Sequence, residues 1–277
     1  MTGFAKFIAA APWTARIGLV IICGYTVAFL FAPWLAPFGE TELVGDAYMS
    51  WDDKHILGTD NVGRDMLSRL IYGARNTIGI ALVTTALAFV VGVIAGFLAA
   101  TVGGWLDQAF SRLVDILMAI PGIIFALLLL TIFGSTLWVV ILVIATVEGT
   151  RVFRLARAVG QSIVVLDYVE AARIRGEGLG WIMLREVLPN AIPPLAAEFG
   201  LRFCFVFLFL AGLSFLGLGI QPPTADWGSM VKENATLISY GDITPLLPAG
   251  AIALLTVGVN FLVDWFLHKT AGLRDDL

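Results

Sequence analysis

The chain has 277 residues, of which 59% are hydrophobic and 14% charged, and its mean hydropathy is +0.91. Soluble globular proteins carry about 25% charged residues, so this composition indicates a protein of the lipid bilayer. A net charge of −4 argues against nucleic-acid binding, and two cysteines and two histidines are too few for a disulfide framework or a metal centre.

Six apolar stretches are long enough to cross the hydrocarbon core, which takes about 20 helical residues. They lie near residues 15–35, 77–102, 113–133, 137–159, 195–218 and 245–267. The first follows Lys6 and Arg16, and its length and lack of a small-residue cleavage site favour a retained anchor over a signal peptide. The sequence predicts an all-α integral membrane protein with six transmembrane helices, divided into an anchor helix with an outer loop (1–76) and a core (77–277).

Lysine and arginine predict the orientation, because cytoplasmic loops are enriched in both. With the N-terminus inside, the inner segments hold the larger share, namely Lys6, Arg16, Arg112, Arg151, Arg154, Arg157, Arg173, Arg175, Arg185, Lys269 and Arg274. The outer segments hold Lys54, Arg64, Arg69, Arg75 and Lys232. Both termini are therefore predicted to be cytoplasmic.

The first outer loop ends in residues 60–75, which carry opposite charges around a Gly-Arg-Asp turn and then aliphatic residues at helical spacing. This pattern is typical of an amphipathic helix on the outer leaflet, or it forms part of a dock for a binding protein. The second outer loop begins at Gln221-Pro222-Pro223, where two prolines end the fifth span. That exit either shapes the outer mouth of a pathway or is a plain helix stop.

Charged residues in and near the spans have partners of opposite charge at helical spacing. The pairs are Asp115 with Arg112, Glu148 with Arg151, Glu198 with Arg202, and the Asp264 carboxylate with His268. We expect self-pairing, and the lack of a relay through the midplane argues against a proton-coupled or ion-coupled carrier. In the second span, Gly92 and Gly96 form a GxxxG motif that predicts close helix packing.

A charged island at residues 168–195 predicts a helix–turn–helix elbow on the cytoplasmic side. Asp167 or Ser162 is a candidate cap for its first helix, in which Glu170 is expected to pair with Arg173. The following small residues, Ala171 and Ala172, leave a surface that another protein can approach closely.

Glycines at the centre of the island, Gly176 and Gly178, are expected to turn the chain. A second helix is predicted over 179–187, ended by Pro189, with two more prolines leading into the fifth span. Two interpretations stay open on these residues alone: an interfacial amphipathic helix that anchors a loop, and a docking site for a protein.

The chain contains no GxxxxGK[ST] phosphate-binding loop, which excludes ATP hydrolysis by that route. It also shows no nucleophile–base pair and no metal-ligand spacing, so it is predicted not to be an enzyme. If the elbow receives mechanical work, the motor is another chain.

The island resembles the EAA loop of binding-protein-dependent ABC importer permeases, whose pattern is EAA, three residues, Gly, nine residues and Ile-x-Leu-Pro. The matching residues are Glu170, Ala171, Ala172, Gly176, Leu188 and Pro189, whereas Glu186 stands at the isoleucine position. In that family the loop, at about 160–192 here, sits in a cleft of the ATPase and transmits its closure. The resemblance implies coupling roles for these residues and for Arg173 and Arg175.

Two further segments narrow the resemblance. Residues 58–75 are similar to the GTDxxGRDxxSRLxYGAR segment, and residues 213–228 to the SFLGLGxQPPxxxWG segment, of oligopeptide and dipeptide permeases. The C-terminus, residues 264–277, is loosely similar to the GDxLRDxLDP ending of that group. The nearest match is the second, C-type permease subunit of the oligopeptide/dipeptide/nickel importers.

This resemblance implies the MetI-like architecture of type I ABC importer permeases in the bacterial inner membrane. The implied partners are a second homologous permease, two ABC ATPases that use ATP and Mg, and an extracytoplasmic solute-binding protein. No cofactor is expected on this chain and no nucleic acid. Candidate outer docking or gating residues are Arg64, Asp65, Gln221, Pro222 and Pro223.

Two other functions compete with this one. A secondary transporter or channel needs inverted repeats or charged midplane residues, which the sequence does not display. A simple membrane anchor for a soluble partner would need only the elbow. The transported substrate does not follow from the sequence, because selectivity in such importers resides largely in the binding protein.

Overall fold

The computed structural model describes residues 11–270. All the helices and strands named among these residues are helices, and the only β pairing is two isolated bridges. The helices are α1 (Trp13–Leu35), α2 (Met66–Val102), α3 (Gly104–Ala119), α4 (Gly122–Phe133), α5 (Leu137–Val164), α6 (Asp167–Ile174), α7 (Leu179–Phe215), α8 (Trp227–Asn234) and α9 (Leu246–Thr270). A 3-10 helix, Ala235–Tyr240, follows α8. The all-α class is confirmed, while Lys6 and Arg274 lie outside the described residues.

Four of these helices are long and apolar enough to cross a membrane, namely α1, α2, α7 and α9. The bent pair α3 and α4 adds a fifth candidate if it counts as one span. The 28-residue helix α5 carries Glu148, Arg151, Arg154 and Arg157 and falls outside this apolar set. Between residues 11 and 270 the structure thus supports a multi-pass protein with four or five apolar spans.

The predicted span at 113–133 is not one continuous helix, because a bend of 88° separates α3 from α4. The break falls at Ile120, whose φ of −91° and ψ of 128° are extended. Pro121 follows, and a proline disfavours helical backbone in the residue before it. The Ile-Pro-Gly sequence at 120–122 was therefore a helix boundary inside an apolar run.

Small residues hold α2 against α5. A Cβ added to Gly92 would lie 2.8 Å from the Gly149 carbonyl oxygen, and one added to Gly96 would lie 2.8 Å from Ala156 Cβ. Glycine removes the side chain and lets two backbones approach closely. The close packing predicted from the GxxxG motif is confirmed, and its partner is a helix of the same chain.

The first loop, residues 36–65, packs against α8, where Arg64 Nη2 of the loop lies 3.4 Å from Glu233 Oε2. The expected surface helix after Asp60 is instead the first part of α2, which begins at Met66 with the Asp65 carboxylate accepting a hydrogen bond from Ser68 N–H. Tertiary contacts override the amphipathic pattern here, because Trp227 Nε1 of α8 donates to Leu70 O at 2.9 Å. We call this end of the molecule the loop end.

Two main apolar clusters fill the protein. The larger lies towards the loop end, where Met66, Phe207 and Trp227 are buried. The second lies at the opposite end, where α2 and α5 finish and α7 begins, and it includes Phe97, Ile163, Val169, Ile182 and Val187. We call this the elbow end, because α6 and the start of α7 form its surface.

Candidate functional site

The island folds as the predicted elbow, and its turn is set by Gly176. Helix α6 runs from Asp167 to Ile174, and Gly176 follows with a φ of +84°. Gly176 N–H donates to Arg173 O at 2.9 Å, and Glu177 N–H donates to Ala172 O at 3.2 Å. This pair of bonds is a Schellman motif, which satisfies the last helical carbonyls and requires a left-handed residue.

The start of α6 differs from the prediction. The cap position is Leu166, which offers no side-chain hydrogen bond, and Asp167 is the first helical residue. Ser162 lies within α5, where its hydroxyl donates to Val159 O at 2.8 Å. Neither candidate is therefore the cap, although Asp167 and Glu170 place negative charge in the first turn, where the helix dipole favours it.

One face of α6 is buried and anchors the elbow to the rest of the protein. Val169 and Ala172 are fully buried, and Val169 belongs to the apolar cluster formed with Ile163 of α5 and Ile182 of α7. Arg173 Nη2 donates to Thr101 O, at the end of α2, at 3.4 Å. Helix α6 therefore contacts α2, α5 and α7 directly.

The opposite face of α6 is exposed and mixes polar with apolar side chains. Glu170, Ala171 and Ile174 (79%) are exposed, as is Val165 (76%) just before the helix. Of the two alanines expected to leave an approachable surface, Ala171 is exposed, whereas Ala172 is buried because it lies on the inner face with Val169. An exposed surface with apolar and charged side chains fits both a docking site and an interfacial helix, the two interpretations left open by the sequence.

The expected pair between Glu170 and Arg173 is not among the ion pairs of residues 11–270, because Arg173 turns towards Thr101. Arg175 instead lies across the elbow. Its Nε is 3.9 Å from Glu177 Oε1, its Nη2 is 3.9 Å from Glu186 Oε1, and its guanidinium sits 5.8 Å from the Trp181 ring centroid. The departure from the family pattern at position 186 thus supplies a partner for Arg175.

The second arm does not end at Pro189, contrary to the prediction. Helix α7 begins with Leu179–Trp181, widens into a π-helical turn at Ile182–Val187 and continues from Leu188 to Phe215. Leu188 N–H donates to Met183 O, five residues back. Pro189 stands near the start of the following α-helical segment, where a missing N–H is tolerated. Pro193 and Pro194 also lie inside the helix.

The candidate outer residues divide into two groups. Arg64 and Asp65 are buried: Arg64 Nε lies 2.7 Å from Asp60 Oδ2, and Asp65 Oδ1 lies 3.3 Å from His55 Nδ1. These two residues hold the first loop together. Gln221, Pro222 and Pro223 are exposed, and a docking or gating role for the five stays a prediction.

Ion pairs also connect separate segments within the loop end. Arg69 is almost fully buried, with Nε 3.2 Å from Asp60 Oδ2 and Nη2 3.5 Å from Glu233 Oε2. These distances satisfy ion pairing, although the N–H directions miss the carboxylates and leave the guanidinium without a well-formed hydrogen bond. Since Glu233 belongs to α8, the contact fastens the start of α2 to α8.

Sequence reasoning found two intrahelical pairs and missed that they meet. Glu148 lies 2.8 Å from Arg151, and Glu198 lies 2.7 Å from Arg202, as expected from helical spacing. Arg202 Nη1 also lies 2.9 Å from Glu148 Oε2, which joins α5 to α7. The sequence signal that could have indicated this contact is that Glu148 and Arg202 both lie inside apolar, helix-forming runs. Asp115 pairs with Arg154 at 2.6 Å rather than with Arg112.

Known proteins match this chain along most of its length. The family described as binding-protein-dependent transport system inner membrane component matches residues 88–269. The dipeptide transport system permease protein DppC of Escherichia coli is 36% identical over 270 residues, which cover 95% of this chain and 88% of that protein. The di/tripeptide transport system permease protein DppC of Pseudomonas aeruginosa is 35% identical, with 94% and 84% covered.

A third relative, the dipeptide transport system permease protein DppC of Haemophilus influenzae, is 32% identical over 95% of this chain and 89% of its own length. Members of this family are transport subunits rather than enzymes, in agreement with the missing phosphate-binding loop. These matches confirm the resemblance, and the chain belongs to the binding-protein-dependent transport system inner membrane components, the permeases of ABC importers.

Proposed function

We propose that this chain forms half of the translocation pathway of an ATP-driven peptide importer and receives mechanical work through the α6 elbow. The elbow carries the proposal: its outer face exposes Glu170, Ala171 and Ile174, while its inner face contacts three long helices. A partner that seats on the outer face can therefore move the helices without entering the membrane.

The ATPase is the proposed occupant of this face, because the family depends on a separate motor and this chain has no phosphate-binding loop. Closure of the ATPase pair would press on Glu170–Gly176 and tilt α2, α5 and α7 together. The Schellman turn keeps α6 and the start of α7 at a fixed angle, so the push is transmitted rather than absorbed.

The proposed complex contains a second homologous permease, two ATPases and a solute-binding protein outside the membrane. We propose six spans, with α5 and the bent α3–α4 pair completing the four apolar helices, and both termini in the cytoplasm. The excess of lysine and arginine at the elbow end supports this orientation. The exposed Gln221-Pro222-Pro223 segment is available to the binding protein at the other side.

Short peptides are the proposed substrate. The three relatives are named for the transport of dipeptides or of di- and tripeptides, and each is matched over more than nine-tenths of this chain. The experiment is ATP-driven uptake of radiolabelled alanyl-alanine into proteoliposomes that hold the co-purified complex with its binding protein.

The variant that tests the docking face is Glu170→Lys. We expect it to lose ATPase co-purification and uptake, because it reverses a charge on the exposed face without touching the buried one. Asp53→Lys, an equal charge reversal at an exposed position of the first loop, should keep ATPase binding. If Glu170→Lys binds the ATPase and takes up peptide as well as the wild type does, the proposal is refuted.

A further inference from the structure

We propose that a charged cluster between α5 and α7 lines the solute pathway, and that Arg151 at its open edge binds the carboxylate of a zwitterionic solute such as a short peptide. The proposal rests on the proposed function, since it assigns a contact site within that pathway. It is carried by the geometry of the cluster, its depth, its cavity and the polar stripe that continues from it.

The cluster is built around Glu148, whose side chain is buried. Glu148 Oε1 lies 2.8 Å from Arg151 Nη1, and Oε2 lies 2.9 Å from Arg202 Nη1. Arg202 Nε lies 2.7 Å from Glu198 Oε1, although its N–H is not aligned for a hydrogen bond, and its guanidinium covers the Phe205 ring at 4.5 Å. The two acids and two arginines balance in charge.

The cluster lies at mid-depth in its helices. With a rise of 1.5 Å per residue, Glu148 is about 16 Å from the Leu137 end of α5, and Arg202 is about 20 Å from the Phe215 end of α7. A hydrocarbon core about 30 Å thick would place both near its middle, which departs from the expectation that the sequence displays no charged midplane residues. Ionised side chains at that depth face protein or a water-filled cavity, because lipid cannot solvate them.

An open cavity of about 340 Å³ adjoins the cluster, lined in part by Gly122, Glu148, Arg151 and Phe205. The Arg151 side chain is 45% exposed, and within residues 11–270 its hydrogen bonds all leave from Nη1, to the two oxygens of Glu148. Its Nε and Nη2 therefore remain for an incoming group. A guanidinium edge with two N–H donors matches the geometry of a carboxylate.

A polar stripe continues from Arg151 towards the elbow end of α5. Arg154 Nη2 lies 2.6 Å from Asp115 Oδ1, and Arg157 pairs with Asp107. Steps of three residues keep these side chains on neighbouring parts of one helix face. A stripe of this kind fits the wall of an aqueous route, whereas a lipid-facing surface would be apolar. Arg154 and Arg157 are already neutralised by α3, which leaves Arg151 as the cation best placed for a solute.

The first test compares uptake of alanyl-alanine with uptake of its C-terminal amide by the assembled importer. Arg151→Gln should lower the acid-to-amide uptake ratio about tenfold, the effect of losing one charge-assisted bond pair. Arg151→Lys should give an uptake ratio between those of the wild type and Arg151→Gln. Arg112 is an exposed arginine of α3, and the matched control Arg112→Gln should keep the wild-type ratio. An unchanged ratio in Arg151→Gln, with the melting temperature retained, would overturn the site.

A second test needs no ATP-driven transport and therefore separates this site from the proposed function. Arg151→Cys is placed in a background with Cys23→Ser and Cys204→Ala, and open membrane fragments are treated with the anionic reagent sulfonatoethyl methanethiosulfonate. Val91→Cys is the control, because Val91 is 58% exposed and its neighbour Gly92 touches Gly149, at the depth of Glu148. We expect labelling at 151 at least tenfold faster than at 91; equal rates would refute the aqueous site.

If the wild-type complex takes up no peptide with ATP, the proposed function fails. The labelling result then still decides whether Arg151 faces water.

Discussion

Replacing Gly176 by alanine perturbs the elbow at a single backbone position. Gly176 has a φ of +84°, and a Cβ added there would meet no atom within 4 Å, so the cost comes from the backbone alone. An L-residue in the left-handed region costs roughly 1–2 kcal/mol. The same free energy lowers the population of the closed Schellman turn relative to open forms by a factor of about 5 to 30.

Hydrogen exchange followed by mass spectrometry measures this change directly. The amides of residues 176 and 177 donate the two turn bonds, so exchange in a peptide covering them should accelerate about 5- to 30-fold in Gly176→Ala. Gly176→Asn should show a smaller effect, because asparagine tolerates this region. Gly178→Ala is the matched control: Gly178 also has open space but a φ of −75°.

We expect ATP-driven uptake to fall with the loss of protection in this series, since the turn couples α6 to α7. Unchanged exchange in Gly176→Ala would refute the backbone reasoning. Faster exchange with wild-type uptake would instead show that the angle of the elbow does not matter for coupling.

Three further predictions test other parts of the protein. Gly92→Ala should lower the free energy of unfolding by about 1–3 kcal/mol, seen as a lower melting temperature than that of Gly24→Ala, because its Cβ would press on the Gly149 carbonyl while Gly24 faces open space. Glu186→Ile should change the unfolding free energy by less than about 1 kcal/mol and keep uptake, because the 3.9 Å pair with Arg175 is partly exposed; a loss of several kcal/mol would contradict this. Burial raises the pKa of the Asp226 carboxyl above its ordinary value, against the hydrogen bonds from Ser229 and Thr77 that lower it. The folded state therefore holds this proton more tightly, so the wild-type melting temperature should rise relative to Asp226→Asn as the pH falls towards 4, and a constant difference would contradict the burial of the charge.

The elbow could be predicted from sequence because its determinants are local. A run of helix formers followed by Gly176 specifies a helix and a left-handed stop within ten residues. The close approach of α2 and α5 was also visible, since Gly92 and Gly96 repeat at helical spacing. These features depend on neighbours in the chain and need no knowledge of tertiary contacts.

The features that sequence reasoning missed depend on long-range contacts or on non-standard helix geometry. Pro189 reads as a stop, yet the helix continues through it after a π-helical turn at Ile182–Val187. Glu148 and Arg202 are 54 residues apart, and helical spacing accounts for their local partners without revealing each other. Pro121 marks the break in the sequence, but the apolar residues on both sides of it led to the prediction of one continuous span.

Photo-cross-linking at the exposed face of α6 tests the central claim most directly. A photoreactive amino acid replaces Ala171 in the assembled importer, and the same residue replaces Asp53 in the first loop as a control; both positions are exposed. We predict an adduct between position 171 and the ATPase subunit and none from position 53. Illumination that joins position 171 only to lipid, or to no partner, would contradict the coupling role of the elbow.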